Sequence, residues 1–291
     1  MKKNSIIVVV CVLVHFTCSI CSCENKKDSV HINVIPLEST IGQYNIVNLS
    51  EYVSEIKYIP LETNDSVLLG SLQLISYEND KILIKDSSQK CYLFDNEGNL
   101  CNKIGQLGQG PNDYIYIQKV FLLDNFVFLE DQFKVLIYDT VGHLIKKYNL
   151  RSIYDKYNAI GSIIPLKKDT YVMNVYSADK HYPKAVLFET YQSEAAVIKE
   201  FPNYIVLNKL RPGNYGYEMG FLYRYNDNIR VYKGINDTIF TIGQNLEMNV
   251  AYIFDRGRYK PTIAFLERKE DSKNYNNYIE PNRIYESHNH I

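Results

Sequence analysis

Two aspartates, Asp95 and Asp139, are the carboxylates whose placement first suggests chemistry, because paired carboxylates can act as general acid and base. They lie 44 residues apart, and each opens an Asp-x-x-Gly pattern directly after an apolar stretch. An aspartate in front of a glycine-containing turn usually accepts hydrogen bonds from its own backbone. We therefore predict that each of the two caps a turn and that they do not form a catalytic pair.

A glycine-rich stretch at 105–111, Gly-Gln-Leu-Gly-Gln-Gly-Pro, is the candidate for phosphate binding. It lacks the Lys-Ser/Thr pair of a P-loop, and it lies between two strand-like stretches instead of leading from a strand into a helix. Glycine reaches positive φ at little cost, which suits a loop that crosses from one sheet to the next. We interpret these glycines as crossing-loop residues, and we predict no nucleotide or other cofactor.

The six histidines give no support to a metal centre or a nucleophilic enzyme. His143 falls on a predicted exposed hairpin, and the sequence contains neither the His-x-x-x-His spacing of a zinc site nor a Ser-His-Asp set. The formal net charge is −1. Because no basic field is available to collect phosphates, nucleic acid is not expected as a partner.

A stretch rich in glycine and tyrosine, residues 211–225, offers a candidate ligand face. Tyr215, Tyr217 and Arg224 could line such a face, since tyrosine supplies rigid contact area that is both apolar and polar. The alternative, which the composition favours, is a long loop whose aromatic residues pack on a sheet. Both interpretations stay open at this point.

The chain begins with a signal peptide, residues 1–22, that ends in front of a cysteine. Two lysines are followed by an apolar run at 6–14, far shorter than the roughly 20 residues that span a bilayer. A small residue directly before Cys23 resembles the cleavage motif of bacterial lipoproteins, which are acylated at that cysteine. We predict a palmitate-bearing anchor at Cys23, a tether at 23–29 and a place in the cell envelope, at the outer membrane. An ordinary secretory signal with spare cysteines is the alternative.

Two cysteines, Cys91 and Cys101, would remain in the folded part of an anchored protein. They flank a predicted turn on strands that should pair, and an exported protein folds where disulfides can form. A cross-strand disulfide is one interpretation, and two half-buried thiols that act as small apolar groups are the other. With no Cys-x-x-Cys and no histidine nearby, we expect no zinc site here.

The elements that would position these groups follow an internal repeat. Residues 92–100 align with 136–144, in each case three strand-forming residues, Asp-x-x-Gly and a leucine, and every offset is 44. The same offset carries Asp80 onto Asp124. Short apolar stretches separated by turn residues, recurring about every 40–50 residues, are typical of the blades of a β-propeller.

Four such units are predicted, each with four strands, over about 70–106, 115–150, 159–202 and 217–254. Two strand-like stretches precede them, at 30–37 and 53–61. Pro36 and Pro60 favour edge positions for these stretches, because proline cannot donate to a strand ladder.

Beyond the fourth unit, residues 262–269 could form one or two turns of helix. The remainder is polar and contains few residues suited to a core. We therefore place the propeller domain at 30–265 and predict a disordered tail at 266–291.

Three motifs occur in a fixed order: Tyr-Ile-Pro-Leu-Glu-Thr at 58–63, Phe-Asp-x-x-Gly at 94–98, and Ile-Gly-x-x-Gly-Gln-Gly-Pro-x-x-Tyr at 104–114. This series resembles the six-bladed β-propeller lipoproteins of anaerobic, gut-type bacteria, a family similar to NHL-repeat and TolB-like propellers. The resemblance covers about 30–260. It implies an all-β fold, a propeller of four-stranded antiparallel blades, nominally six. With four complete units, two alternatives stay open: the strands at 30–62 complete the terminal blades, or the ring is incomplete at its C-terminal end.

The sequence therefore predicts an exported, lipid-anchored propeller that binds an envelope protein, a peptide or a glycan, or serves as a scaffold. The main alternative is a glycosidase-like or lyase-like enzyme with a site at the mouth of the channel, because fold alone does not decide function. A truncated member of the family is the third interpretation.

Overall fold

The computed structural model describes residues 32–43, 48–65, 67–157, 160–175, 183–203, 205, 220–234, 236–267, 277–279, 281 and 284–287. All of these belong to one compact unit, Ile32–Ile291. The predicted signal peptide and tether, with Cys23, lie outside the described residues. None of the helices in the described ranges is long and apolar enough to span a membrane.

The described residues form seventeen strands and three short helices. The strands are β1 (Asn33–Pro36), β2 (Leu72–Glu78), β3 (Lys81–Asp86), β4 (Cys91–Asp95), β5 (Leu100–Lys103), β6 (Ile117–Leu123), β7 (Phe126–Asp131), β8 (Lys134–Asp139), β9 (Leu144–Asn149), β10 (Ile160–Lys167), β11 (Thr170–Val175), β12 (Ala185–Tyr191), β13 (Glu194–Phe201), β14 (Phe221–Tyr225), β15 (Asn228–Tyr232), β16 (Thr238–Ile242) and β17 (Met248–Asp255). The helices are α1 (Leu37–Thr40), α2 (Arg151–Tyr157) and α3 (Ile263–Leu266), and 3-10 turns occur at Leu49–Glu51 and Gly257–Tyr259.

Sixteen of the strands make four antiparallel units in chain order: the first unit (β2–β5), the second (β6–β9), the third (β10–β13) and the fourth (β14–β17). One parallel bridge, Glu194 to Asn149, joins the second and third units into an eight-stranded sheet. β1 adds a fifth strand to the fourth unit, parallel to β17. The four predicted units and the propeller-like, all-β architecture are confirmed, whereas a count of six blades is not.

Each unit has a preceding face, toward the part of the chain before it, and a following face, toward the unit after it. Side chains alternate between the two faces along every strand. Leu83 and Leu93 on the following face of the first unit share one core with Val127 and Leu136 on the preceding face of the second. Two further cores lie in the same way between the second and third units and between the third and fourth. The core is therefore a series of layers between units, which is why the middle strands are apolar on both faces.

The strand register refines the predicted repeat. Phe94 pairs with Leu100 and Tyr138 pairs with Leu144, with an irregularity directly before each, so the 44-residue offset holds in this part. Between β3 and β7 the offset is 45, because the paired residues are one position closer in the second unit: Ile82 pairs with Phe94, whereas Val127 pairs with Tyr138. The alignment of Asp80 with Asp124 was therefore wrong by one residue.

The predicted strand at 53–61 is absent, which corrects the expectation for the N-terminal region. This segment instead runs beside the β4–β5 turn, where the amide of Glu62 donates to the carbonyl of Gly98 at 2.8 Å. Gly98 has φ of 91°, and a Cβ there would lie 2.0 Å from the carbonyl oxygen of Pro60. Apolar residues of this N-terminal segment, Ile59 and Leu61, therefore cover a face of the first unit without joining a strand ladder. Pro36 does lie in an edge strand, as predicted.

The C-terminal region also differs from expectation. The predicted turn of helix is present as α3, capped by the hydroxyl of Thr262, which accepts from the amide of Phe265 at 3.0 Å. The parts of the predicted disordered tail that the structure describes contact the fourth unit and its neighbourhood. The ring of Tyr278 lies 4.4 Å from that of Phe265, and Glu286 forms an ion pair with Arg230. Polar composition gave no sign of these contacts, because single anchoring residues have no periodicity.

Candidate functional site

The two repeat aspartates cap turns, as predicted. Asp95 accepts from the amides of Glu97 and Asn99, both at 2.9 Å. Asp139 accepts from the amide of Val141 at 3.0 Å and from that of His143 at 2.8 Å. The hydrogen bond from the side chain of Asn99 lowers the pKa of Asp95. Both carboxylates are therefore committed to their own turns and do not form a catalytic pair.

The glycine-rich stretch is a crossing loop between β5 and β6, as predicted. Gly105 has φ of 64°, and a Cβ there would lie 2.6 Å from the hydroxyl of Tyr138, so only glycine fits. Asp113 accepts from the amide of Gly110 at 2.9 Å and closes the loop on itself. The loop continues past Pro111 toward β6 and forms one wall of a cleft.

A cleft of about 480 Å³ opens beside this loop and is our candidate functional site. That volume lies within the range of small-ligand and peptide-side-chain pockets, about 300–1,000 Å³. Residues from the crossing loop, the β7–β8 turn, the end of β9 and the β12–β13 turn meet there. They are Pro111, Ile115, Asp131, Gln132, Phe133, Lys134, Lys147, Tyr148, Asn149, Ser193 and Glu194.

The loop wall of the cleft is held by charged groups. Asp131, buried at the end of β7, accepts from the amides of Ile115 and Tyr116 at 3.1 and 3.0 Å. Lys134 forms an ion pair with Asp131 at 3.2 Å, and Lys147 donates to the carbonyl of Pro111 at 2.6 Å. Hydrogen bonds to charged groups are among the stronger ones in proteins. The cleft is therefore pre-formed, so a ligand would not have to order the loop.

Phe133 supplies an aromatic surface in the turn between β7 and β8. Its side chain is 41% exposed. The ring of Tyr154 meets it edge-on at 5.0 Å, and the guanidinium of Arg151 lies 4.8 Å from its centre. These contacts fix the ring while leaving part of it open to the cleft, which is what an aromatic anchor for a ligand requires.

The lining suits binding better than catalysis. Its one buried carboxylate, Asp131, is paired with Lys134, while Gln132, Asn149 and Ser193 offer neutral hydrogen-bonding groups around an apolar floor. In the described part of the chain, no group of three or more His, Cys, Asp or Glu side chains could hold a metal ion. The arrangement fits an apolar side chain flanked by polar groups.

The structure does not bring the predicted site residues to this cleft. Tyr215, Tyr217 and Cys23 lie outside the described residues, so those predictions stay as they are. Arg224 donates to the carbonyls of Pro165 and Leu166, both at 3.1 Å. Its guanidinium therefore ties the fourth unit to the third.

Cys91 and Cys101 are free thiols, so the disulfide interpretation does not hold in this structure. The amide of Ile104 donates to the carbonyl of Cys91 at 2.8 Å, which places Ile104 and not Cys101 opposite Cys91. Cys101 falls in the irregular part of the β4–β5 ladder. Burial raises the pKa of the Cys91 thiol, so this residue acts as a small apolar group.

The residues that form the cleft were not found from the sequence, but one of them carried a signal. Gln132 and Phe133 make a two-residue turn, and Gln132 has φ of 43°. Such turns favour glycine, asparagine and aspartate. A large aromatic residue at this position indicates a role outside the turn itself.

The fold defines a propeller-like, all-β protein built from four-stranded units. The chain belongs to the DUF4934 family, a domain of unknown function, whose family model matches residues 32–291. No curated protein matches the chain.

Among solved structures, the chain is similar to a Bacteroides fragilis protein described as exported, with 22% identity and a TM-score of 0.56, over 78% of this chain and 62% of that one. A DUF4221 family member from Bacteroides vulgatus matches with 14% identity and a TM-score of 0.47, over 70% of this chain and 62% of that one. PorZ, a surface component of the type-IX secretion system of Porphyromonas gingivalis, matches with 14% identity and a TM-score of 0.40, over 64% of this chain and 23% of that one. The first similarity shows the fold, and the chain spans about 62% of the length of that B. fragilis protein.

Proposed function

We propose that this protein is an exported binding module of the cell envelope, anchored by a lipid on Cys23, and that the cleft beside Phe133 receives a peptide segment of an envelope protein. The observation that carries the proposal is the cleft itself: a pre-formed cavity of about 480 Å³ with a partly exposed aromatic ring. Its size fits a few side chains of a bound segment, and aromatic anchors in pockets commonly dominate the energy of such contacts.

A peptide fits the lining better than a glycan does. Ile115, Pro111 and Phe133 present apolar surface, and the neutral groups of Gln132 and Asn149 can pair with the amides and carbonyls of an extended chain. The cationic and acidic groups at the rim nearly balance, so they favour no single charged sugar or phosphate. A glycan remains one of the outcomes of the test below.

Site-specific crosslinking in cells tests the cleft. A photoreactive phenylalanine placed at position 133 should give an adduct with an envelope polypeptide. The same group at Tyr58, which is 87% exposed and does not line the cleft, serves as the matched control. Equal adducts from both positions, or an adduct with glycan only, would contradict the proposal.

The anchor is supported by the basic, apolar and cysteine pattern of the first residues and by the similarity in fold to an exported protein. Labelled palmitate should enter the wild type and a Cys21→Ser variant but not a Cys23→Ser variant. Label that persists in Cys23→Ser would show that the anchor lies elsewhere or that the label is unspecific. Multiple acyl chains hold a protein stably at a membrane, whereas a single chain does so only weakly.

A further inference from the structure

The following face of the fourth unit contains a binding site for a carboxylate. Arg230 donates to both oxygens of Glu286, at 2.8 Å from Nε and 2.5 Å from the terminal nitrogen. The hydroxyls of Tyr252 and Tyr223 donate to the same carboxylate at 2.7 and 3.0 Å. Four donors from three side chains thus converge on one group, and paired contacts of this kind are the strongest form of carboxylate recognition.

Aromatic rings also flank the arginine of this site. The guanidinium of Arg230 lies 5.1 Å from the ring centre of Tyr225 and 5.6 Å from that of Tyr252. With Glu286 bound, the side chain of Arg230 is 10% exposed, so the charge of the pair is largely removed from water. A fixed and partly desolvated guanidinium requires an anion and has little freedom to turn elsewhere.

The repeat shows that this site departs from the rest of the fold. The third residue of the second strand lies on the following face of every unit, and in the first three units it is apolar and packs on the next unit: Leu83, Phe128 and Val172. In the fourth unit the same position is Arg230. The neighbour across the ladder is Tyr223, where the third unit has Ile164. An apolar cover for this face would need only apolar residues, so the polar pair points to recognition of a charged group.

The segment that fills the site binds as a short peptide would. The side chain of Glu286 is 1% exposed, while Tyr285 beside it is 78% exposed. Ile284, two residues earlier, packs against the apolar cluster of this face, and Tyr225 donates to the carbonyl of Ser287 at 3.0 Å. Burial alternates along residues 284–287, so an aliphatic residue and a glutamate two positions later form the recognised pair.

We propose that the following face of the fourth unit is a receptor for an acidic peptide segment of the form aliphatic-x-Glu, and that residues 284–287 are the segment of this chain that fills it in the absence of a partner. A tethered segment competes at a high effective concentration, so a peptide from another molecule gains access when the tail contact is weakened or outcompeted.

Binding of a labelled peptide tests this proposal. The peptide has the sequence of residues 281–287, Pro-Asn-Arg-Ile-Tyr-Glu-Ser, and its binding to the mature chain is followed by fluorescence anisotropy. The Glu286→Gln variant, whose own tail lacks the carboxylate, should bind the peptide at least about tenfold more tightly than the wild type does. A peptide with Gln in place of its Glu should not compete.

An Arg230→Met/Glu286→Gln double variant is the matched control and should lose binding. A cooperative melt of each variant verifies folding, and Ile284→Ser, which weakens the tail contact at its apolar residue, replaces Glu286→Gln if the latter does not melt cooperatively. If the folded variants do not bind the peptide, bind the Gln peptide equally well, or bind without Arg230, the contact is only an internal cap and the proposal is wrong. The cleft beside Phe133 takes no part in these assays, so their result is independent of the crosslinking experiment.

Discussion

The preceding face of the first unit and the following face of the fourth unit are covered by residues of different chemical character. In repeat architectures each unit buries its faces against its neighbours, and the end units need caps. The preceding face of the first unit, with Tyr92 and Phe94, is covered by apolar residues of the N-terminal segment that include Val67. On the following face of the fourth unit, Leu37 and Ile284 pack on an apolar cluster, and beside it Glu286 is bound to Arg230. Apolar contact covers a face with any apolar residue of suitable shape, whereas an ion pair requires a partner of opposite charge.

The largest expected effect is at the apolar end. Phe94 is fully buried in the cluster beneath the N-terminal segment, and truncating a buried phenylalanine typically costs about 3–5 kcal/mol. Phe94→Ala should therefore lower the free energy of unfolding by about that amount, measured by urea denaturation. Tyr138→Ala, at the equivalent position of the second unit, should have a similar effect, while Asn96→Ala in the turn should change little. Similar values for Phe94→Ala and Asn96→Ala would contradict the register described above.

At the polar end we expect an intermediate effect. Removing one partner of a fully buried ion pair costs about 3–5 kcal/mol, and because Arg230 keeps some contact with water we expect about 1–3 kcal/mol for Glu286→Gln. A double-mutant cycle with Arg230→Met measures how much of this belongs to the pair. Non-interacting residues would give additive effects, contrary to this expectation.

The polar cap should also respond to acid. Burial would raise the pKa of Glu286, but the hydrogen bonds from Arg230 and Tyr252 outweigh it and hold the pKa below the usual 4.5. The stabilisation is therefore present above that value and is lost as the pH falls through the lower folded-state pKa. Glu286→Gln should remove this part of the acid dependence, and Phe94→Ala should leave it unchanged.

Glu130, which lies between the second and third units, is a buried carboxylate whose pKa is shifted in the opposite direction to that of Glu286. Among the described residues, neither of its carboxylate oxygens has a hydrogen bond of normal geometry. Burial raises its pKa to about 8, and Lys119 and the backbone of Ile163 offset only part of this. Because the folded state holds the proton more tightly, stability should fall as the pH rises from about 4.5 to about 8 and then level off.

Glu130→Gln should remove that slope, seen by urea denaturation at several pH values. The slope from one group reaches at most about 1.4 kcal/mol per pH unit. A wild type and a variant with parallel pH profiles would show that Glu130 is not held protonated by the fold.

The smallest expected effect is at the exposed turns. Asp95→Ala and Asp139→Ala each remove hydrogen bonds to two amides that water can replace. Both should lower the melting temperature less than Phe94→Ala and Glu286→Gln do, in differential scanning calorimetry. A drop as large as that of Phe94→Ala would mean that these turns do more than end a hairpin.

Local patterns in the sequence predict most of the fold. Alternating apolar residues and turn residues locate the strands of the four units, and the Asp-x-x-Gly turns are what they were expected to be. The segment at 53–61 was misassigned because the same apolar residues can cover a face or join a ladder. The contact of Glu286 with Arg230 could not be predicted, because a single anchoring residue in a polar stretch has no sequence pattern.

The cleft could not be predicted, because its parts come from separate regions of the chain: the loop at Pro111, the turn at Phe133 and the turn at Ser193. Each looks ordinary alone, and only the packing of successive units brings them together. The carboxylate site has the same origin, since Arg230 and Glu286 are 56 residues apart in sequence.

The pairing of β1 with β17 has a consequence for how the chain is made. Most contacts within the units are local, whereas this ladder and the nearby bond between Glu38 and the amide of Arg258 join residues about 220 positions apart. Contacts of such long range form slowly, because a large loop must close first. As the chain is synthesised from its N-terminus, the first three units can form before β17, the partner strand of Asn33–Pro36, has been made. During synthesis the fourth unit is therefore the last to be completed, and until then it exposes a free strand edge that a chaperone could recognise.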